Sequence, residues 1–240
     1  MPSTSAMWIA AGSALACTTA GVLAYGVRGR SSSFIAPSVY QGPADRRAVA
    51  LTFDDGPSGS TPRLLEILER HRAKATFFEC GANIRRFPQI ARAVVDAGHE
   101  IGNHTDTHPL LSLQPVDVIR REISRAQDTI RETTGFTATL FRAPYGVRWF
   151  GMRQTQRELG LMGVMWTAIG LDWKLDGAAV SRRLLRSVRN GAILCLHDGR
   201  GISTEPNITS TIEAVRTMIP FLLDQGFRLE TVSQLLCPTI

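Results

Sequence analysis

The amino-acid sequence predicts an α/β fold in which a parallel β-sheet is closed as a barrel by the helices that connect its strands. Between residues 47 and 236, short apolar runs alternate with amphipathic segments. Strands that alternate with helices in this way form βα units, which place the strands parallel to one another. The residues best suited to catalysis follow the predicted strands, and parallel barrels carry their active sites at that end.

The first 30 residues are predicted to form a transmembrane anchor. No charged residue precedes Arg28, and residues 7–27 are mostly apolar. About 20 such residues suffice for a helix that crosses a bilayer. A cleaved signal peptide is the alternative, because Ala14-Leu15-Ala16 resembles a cleavage site, but no basic region precedes the apolar stretch. We therefore expect an N-terminal hydrophobic helix that is retained.

Residues 31–46 are predicted to be a linker, because they are rich in serine and contain Pro37, Gly42 and Pro43. A folded domain is predicted at residues 47–236. Its strands are expected at residues 48–53, 75–79, 99–103, 139–142, 162–167, 192–197 and 226–229. Its helices are expected at residues 60–72, 86–97, 115–133, 150–159, 177–189, 208–225 and 231–236, where apolar residues recur at helical spacing.

Charge and cysteine content exclude several classes of protein. The formal net charge of +6 is a mild excess without the dense basic run of a nucleic-acid-binding protein. The four cysteines have no CxxC spacing and indicate neither a zinc knot nor a disulfide framework. We expect no nucleic-acid partner, structural roles for the cysteines, and a monomer.

Two pairs of polar residues predict a metal site. Asp54 and Asp55 end an apolar run, and His104 and His108 are spaced so that both imidazoles share one face of a helical turn. Adjacent carboxylates repel each other unless a cation or a base pairs with one of them. One carboxylate and two imidazoles would make a three-ligand site, and the second carboxylate would remain as a base. Taken separately, a solvated turn and a pair of structural histidines are the alternatives.

Five motifs occur in an order that resembles the NodB-homology polysaccharide deacetylases, which form carbohydrate esterase family 4. They are TFDDGP at residues 52–57, HTDTH at 104–108, RAPY at 142–145, DW at 172–173 and LHD at 196–198. The resemblance covers residues 47–236 and implies a distorted (β/α)7 barrel, the NodB-homology domain. Two positions depart from the pattern: Ile169 replaces a frequent aspartate, and Cys195 replaces a common leucine.

The resemblance implies a metal and a base. By similarity, Asp55, His104 and His108 hold a divalent cation, with zinc expected and cobalt, nickel or manganese as alternatives. Asp54 resembles the base that takes a proton from water, and Arg142 resembles the arginine that orients this base. A zinc-like ion lowers the pKa of bound water towards about 7, so hydroxide is available at neutral pH.

The resemblance also implies an acid and a substrate pocket. Asp172 matches the carboxylate that raises the pKa of His197, which then protonates the leaving amine. Tyr145 matches the position whose backbone N–H stabilises the oxyanion and contacts substrate. Trp173 and Leu196 match residues that line the pocket for the acetyl group.

The implied function is a metal-dependent hydrolase that removes N-acetyl groups from N-acetylglucosamine-type sugars, in peptidoglycan or chitin-like oligomers. The alternatives are a deformylase or deacetylase of a lipid-linked amino sugar or another non-peptide amide, and a non-catalytic glycan-binding protein. Such a substrate implies a catalytic domain outside the cytoplasm, anchored to the membrane. Arg28 and Arg30 favour the opposite orientation by the positive-inside rule, so the orientation stays open.

Overall fold

The computed structural model describes residues 21–237, and every ladder between strands in this part of the chain is parallel; one isolated antiparallel bridge joins Gln41 to Ala192. Its strands are β1 (Ser38–Val39), β2 (Ala48–Gly56), β3 (Ala75–Glu79), β4 (Glu100–Asn103), β5 (Leu140–Phe141), β6 (Met162–Val164), β7 (Ala168–Ile169), β8 (Ala192–His197) and β9 (Arg228–Leu229). The helices are α1 (residues 21–28), α2 (Thr61–Arg70), α3 (Gly81–Arg86), α4 (Pro88–Asp96), α5 (Val116–Thr134), α6 (Met152–Glu158), α7 (Gly177–Leu185), α8 (Thr209–Asp224) and α9 (Val232–Leu236), with a 3₁₀ turn at Pro144–Gly146.

The strands follow the order β1-β6-β5-β4-β3-β2-β8-β7, and β9 pairs with the start of β2. Among the described residues no ladder joins β1 to β7, so the sheet is a curled half-barrel and the predicted closure is incomplete. A side-chain hydrogen bond spans the gap: Thr167 Oγ1, just before β7, donates to the carbonyl oxygen of Tyr40, just after β1, at 2.9 Å. The predicted parallel α/β fold is confirmed in this form.

The central strand β2 has a helix-facing side and an inner side. All nine of its residues are buried, which explains its nearly continuous apolar sequence. Val49, Leu51 and Phe53 pack in the main core with residues of the helices. Ala48 and Ala50 lie in a second cluster together with residues of β3, β8 and α9. Because successive side chains point to opposite faces of a strand, residue 54 continues the inner side.

Several local predictions are corrected by the structure. Residues 162–167, predicted as one strand, leave the sheet after β6, and β7 starts separately at Ala168. Helix α3 was not predicted, because its six residues are too few to establish a helical period. The predicted linker contains β1, which pairs with β6. The domain boundaries themselves stay predictions.

The transmembrane prediction falls mostly on residues 1–20, which lie outside the described residues. Among residues 21–237, no helix is both long and apolar enough to cross a membrane. Helix α1 is the described end of the predicted anchor, and Val22, Leu23 and Tyr25 on it are exposed.

Candidate active site

A β-bulge at the end of β2 brings two neighbouring carboxylates to one site. Asp54 pairs with Phe78 of β3, but Gly56 pairs with Glu79, so Asp55 has no partner in the ladder. A bulge re-aims a side chain that a regular strand would send to the opposite face. Asp54 and Asp55 therefore line the same pocket, as the sequence predicted.

Asp55, His104 and His108 converge on one point. Asp55 Oδ1 lies 3.2 Å from His104 Nε2 and 3.0 Å from His108 Nε2. The other carboxylate oxygen of Asp55 accepts a hydrogen bond from the backbone N–H of Gly201 at 2.8 Å. The carboxylate is thereby fixed with one oxygen free to face the imidazoles.

The donor set fits a divalent cation. His104 Nδ1 lies 2.7 Å from the carbonyl oxygen of Arg142, which can only accept, so Nδ1 carries the proton and Nε2 presents a lone pair. Asp55 Oδ1 is buried and has no hydrogen-bond partner among the described residues. Burial alone would raise the pKa of Asp55, but the two histidines outweigh it and hold that pKa well below its usual value. The hydrogen bonds and charges by which the histidines do so belong to protonated imidazoles. Once the Nε2 atoms are deprotonated, the ionised carboxylate and the two nitrogen lone pairs suit a divalent cation between them.

Arg142 holds Asp54 from within the barrel. This arginine is fully buried, and its Nη1 donates to Asp54 Oδ1 at 2.6 Å and to Thr52 Oγ1 at 2.7 Å. Its remaining nitrogens donate to the carbonyl oxygens of Val164 and Met165, and its guanidinium stacks 4.0 Å from the ring centre of Phe78. With four of its five N–H groups engaged, the guanidinium is held in one orientation, so it fixes the orientation of the Asp54 carboxylate.

His197 faces the site from the neighbouring strand. It lies opposite Asp54 in the β2–β8 ladder, and its Nδ1 is 2.8 Å from Asp172 Oδ1. Asp172 is itself held by the Thr211 hydroxyl at 2.5 Å. Burial lowers the pKa of His197, but the hydrogen bond and the charge of Asp172 outweigh it, so the pKa is raised. His197 is thus prepared to carry a proton near neutral pH.

Left-handed backbone conformations concentrate at this site. Five of the seven described non-glycine residues with positive φ angles belong to the site or adjoin it: Asp55 (73°), His108 (58°), Tyr145 (59°), Thr105 and Leu171; Arg72 and Leu113 lie elsewhere. Each costs roughly 1–3 kcal/mol and persists only where the surrounding fold imposes it. The Tyr145 backbone N–H has no acceptor among the described residues, which leaves it available to a ligand.

The pocket has a volume of about 530 Å³ and includes most of the predicted site residues. Trp173 and Tyr145 line it with exposed rings, which contact His197 and His108 respectively. Leu196 was predicted as a lining residue, and that prediction is wrong. It is fully buried in the main core, because β8 alternates and sends Leu196 to the helix-facing side while His197 faces the pocket.

The pocket also contains residues that the motifs did not identify. Trp166, Ile169, Arg200 and the glycines 146 and 201 complete its wall. Arg200 comes three residues after His197 in the chain, and its Nη2 donates to the carbonyl oxygen of Asp172 at 3.1 Å. Its position next to the LHD motif was the only signal in the sequence.

Cys195 contacts the second oxygen of Asp54. Its thiol lies 3.4 Å from Asp54 Oδ2, on the inner face of β8 two residues before His197. Asp54, Cys195 and His197 also lie close enough together to resemble a ligand set. However, burial and the charge of Asp54 raise the pKa of the Cys195 thiol well above its usual value, and Arg142 already pairs with Asp54. Asp55, His104 and His108 are therefore the better metal ligands.

Comparison with known proteins agrees with the five motifs. A profile of the family described as "Polysaccharide deacetylase" matches residues 41–164, more than half of the chain. The chain belongs to the polysaccharide deacetylase family. Proteins of this family depend on a metal, and the Asp-His-His cluster is where this chain would hold it.

Two curated relatives within the polysaccharide deacetylase family differ in length. A chitooligosaccharide deacetylase from Sinorhizobium fredii is 37% identical over 207 residues, which are 83% of this chain and 92% of the relative. The peptidoglycan-N-acetylglucosamine deacetylase PgdA from Listeria monocytogenes is 33% identical over 206 residues, which are 85% of this chain and 42% of the relative. The chain thus spans less than half the length of the Listeria relative.

A solved structure from the same family shows why membership alone does not establish catalysis. The protein BA3943 from Bacillus anthracis, described as a carbohydrate esterase family 4 pseudoenzyme, matches with a TM-score of 0.76 and 31% identity, over 85% of this chain and 69% of that one. A mutant of BA3943 is described as having restored enzymatic activity. Function must therefore be argued from the site.

Proposed function

We propose that this polysaccharide deacetylase family member is a metal-dependent hydrolase that removes N-acetyl groups from N-acetylglucosamine-type sugars, in peptidoglycan or chitin-like oligomers. The observation that carries the proposal is the placement of Asp54 and His197 opposite each other in the β2–β8 ladder, beside the Asp55-His104-His108 cluster. Amide hydrolysis requires a base for water and an acid for the leaving amine, and these two residues supply both.

The metal would be held by Asp55 and the two histidines of residues 104–108. Two imidazole nitrogens and one carboxylate oxygen are typical ligands of catalytic zinc, and we propose Zn²⁺, with Co²⁺, Ni²⁺ or Mn²⁺ as alternatives. When bound, the ion supplies Lewis-acid polarisation of the acyl oxygen and acidifies water. Protein groups carry out the proton transfers and help to stabilise the oxyanion.

Asp54 is the proposed base. Arg142 engages its Oδ1, so the proposed acceptor for the proton of the attacking water is Oδ2, which also contacts the Cys195 thiol at 3.4 Å. His197 is the proposed acid, because Asp172 holds its Nδ1 and directs Nε2 away from that carboxylate. The proton on Nε2 passes to the nitrogen of the leaving amino sugar. The free backbone N–H of Tyr145 is proposed to stabilise the oxyanion. Trp173 is proposed to form the wall of the pocket that contacts the acyl group.

Replacement of Asp54 by asparagine tests the assignment of the two aspartates. We expect Asp54→Asn to keep one equivalent of metal and to lose turnover by at least about 100-fold, the lower end of what a general base contributes. Asp55→Asn is the matched variant and should lose metal. Turnover is followed as acetate release from chitooligosaccharides, and metal content by elemental analysis. If Asp54→Asn loses its metal instead, the roles are exchanged.

The same assay separates the alternatives. Formate release from a formylated lipid-linked amino sugar, without acetate release from acetylated sugars, would favour the deformylase. Tight glycan binding by the metal-loaded protein without any acyl release would favour a non-catalytic glycan-binding protein.

We propose further that the N-terminus anchors the protein to the membrane with the domain on the outer side. The support is the uncharged apolar stretch at residues 7–27 and the cell-envelope location of the proposed substrate. Recovery of the full chain in the membrane fraction, with the domain accessible to added protease in intact cells, is the expected result. Recovery of the domain in the soluble cell fraction contradicts it.

A further inference from the structure

A groove rich in arginine adjoins the catalytic pocket. It has a volume of about 650 Å³ and lies between β7 and α7. Trp166 and Ile169 line both this groove and the catalytic pocket, so the two share a wall. A substrate chain that fills the pocket would continue into the groove.

The positive charge in the groove is not neutralised by the protein. Four exposed arginines line it, and no aspartate or glutamate does; they are Arg30, Arg182, Arg183 and Arg186. Among the described acidic residues, none lies within ion-pair distance of these four guanidinium groups. Four like charges around one groove repel each other, which favours an anion between them.

Two of the arginines are held in place by neutral acceptors. Arg183 Nε donates to the carbonyl oxygen of Ile169 at 2.8 Å, and Arg30 Nη1 donates to the carbonyl oxygen of Thr167. Carbonyl oxygens position a guanidinium without cancelling its charge. Cations in the last turn of α7 are favoured by the helix dipole, which accounts for Arg182 and Arg183. It does not account for Arg30, which reaches the groove from the segment after α1.

We propose that this groove binds carboxylate groups on the substrate strand, so that the enzyme prefers a glycan bearing acidic substituents over a neutral one. Peptidoglycan carries such carboxylates on its stem peptides, or on the lactyl ether where no stem peptide is attached, whereas chitin-like oligomers carry none. The inference rests on the proposed deacetylase function and narrows its substrate class. Guanidinium groups suit this task because they bind carboxylates through two parallel hydrogen bonds.

The test uses the full metal-loaded chain with two substrates of equal length, a neutral chitooligosaccharide and a peptidoglycan strand with its carboxylates. We expect the triple variant Arg182→Gln, Arg183→Gln, Arg186→Gln to raise KM for the peptidoglycan strand by about tenfold, and to leave kcat and the chitooligosaccharide KM unchanged. Added salt should raise the peptidoglycan KM of the wild type and have less effect on the variant.

The control variant removes the same charge elsewhere. Arg63, Arg70 and Arg216 are exposed on α2 and α8, and their replacement by glutamine should leave both KM values unchanged.

The proposal is overturned if the control variant has the same effect, or if the groove variant raises KM equally for both substrates. It is also overturned if the groove variant loses binding to anionic phospholipid vesicles while its peptidoglycan KM is unchanged, because the groove would then be a membrane surface. Absence of activity on both substrates refutes the proposed function instead.

Discussion

The proton on His197 depends on one neighbouring carboxylate. Burial disfavours the charged imidazole, and the Asp172 hydrogen bond and charge reverse that preference. The raised pKa extends the protonated form of the acid to higher pH, and activity is lost as the pH rises through that pKa. Asp172 in turn has a lowered pKa: burial opposes its ionisation, but His197 and Thr211 outweigh this effect. The two residues therefore act as a charged pair.

Replacement of Asp172 by asparagine tests this dependence. Burial then dominates, so we expect the pKa of His197 to fall and the alkaline limb of the pH–rate profile to move to lower pH. Turnover at neutral pH should drop by about 100-fold. Asp224→Asn, at an exposed position at the end of α8, is the control and should leave the profile unchanged. If the alkaline limb does not move in Asp172→Asn, that limb reports the titration of a group other than His197.

Two helices hold the loop that carries the metal-binding histidines. Asp106, between His104 and His108, is buried and pairs with Arg85 of α3 at 2.7 Å and Arg125 of α5 at 3.2 Å. The carboxylate of Glu122, also on α5, accepts the backbone N–H of Thr107 at 2.8 Å. These contacts fix a loop with two left-handed residues, so α3 and α5 help position the imidazoles.

Loss of the Asp106 charge should loosen this loop. Because both arginines are partly exposed and can turn to water, we expect Asp106→Asn to lower the free energy of unfolding by only about 1–2 kcal/mol. Metal affinity should fall by about tenfold, as for groups that orient metal ligands. Asp117→Asn breaks an exposed ion pair with Arg121 on the same helix and should change neither quantity measurably. Unchanged metal affinity in Asp106→Asn would contradict a positioning role.

Beneath the site, the fold buries two carboxyl groups near each other. Asp198 is fully buried, and burial, reinforced by the charges of Asp55 and Asp54, raises its pKa to about 7, although the Thr61 hydroxyl donates to it at 2.6 Å. Burial and the charge of Asp198 raise the pKa of Glu79 well above its usual value. Both groups bind protons more tightly in the folded protein than in the unfolded chain, so their contribution to stability is lost as the pH rises.

This linkage predicts a pH dependence of the metal-free protein. Between about pH 4 and pH 7, folded Asp198 retains a proton that the unfolded chain releases, so its contribution to the free energy of unfolding decreases with rising pH. An asparagine side chain does not titrate, so we expect Asp198→Asn to lack this pH dependence. Between about pH 4 and pH 7, the free energy of unfolding of the wild type should therefore fall relative to that of the variant. Urea unfolding at several pH values measures it, with exposed Asp45→Asn as the control. Parallel curves for wild type and Asp198→Asn would refute the raised pKa.

The parallel sheet and most of the site could be predicted from the sequence because both leave local signals. Buried parallel strands are continuous apolar runs, and the five motifs lie at or just after the ends of strands. Weaker signals failed: α3 and β7 are too short for a period, and Leu196 was assigned to the pocket although strand alternation sends it to the core.

The sequence by itself determined which residue types meet at the ends of the strands, and hence the class of chemistry. Only the tertiary structure decided how they meet. A bulge turns Asp55 towards the histidines, and Arg142 reaches Asp54 across 88 positions of the chain. Arg30, from the segment after α1, joins the arginines of α7 because it donates a hydrogen bond to the carbonyl oxygen of Thr167. Such contacts join residues distant in the chain, and local spacing cannot encode them.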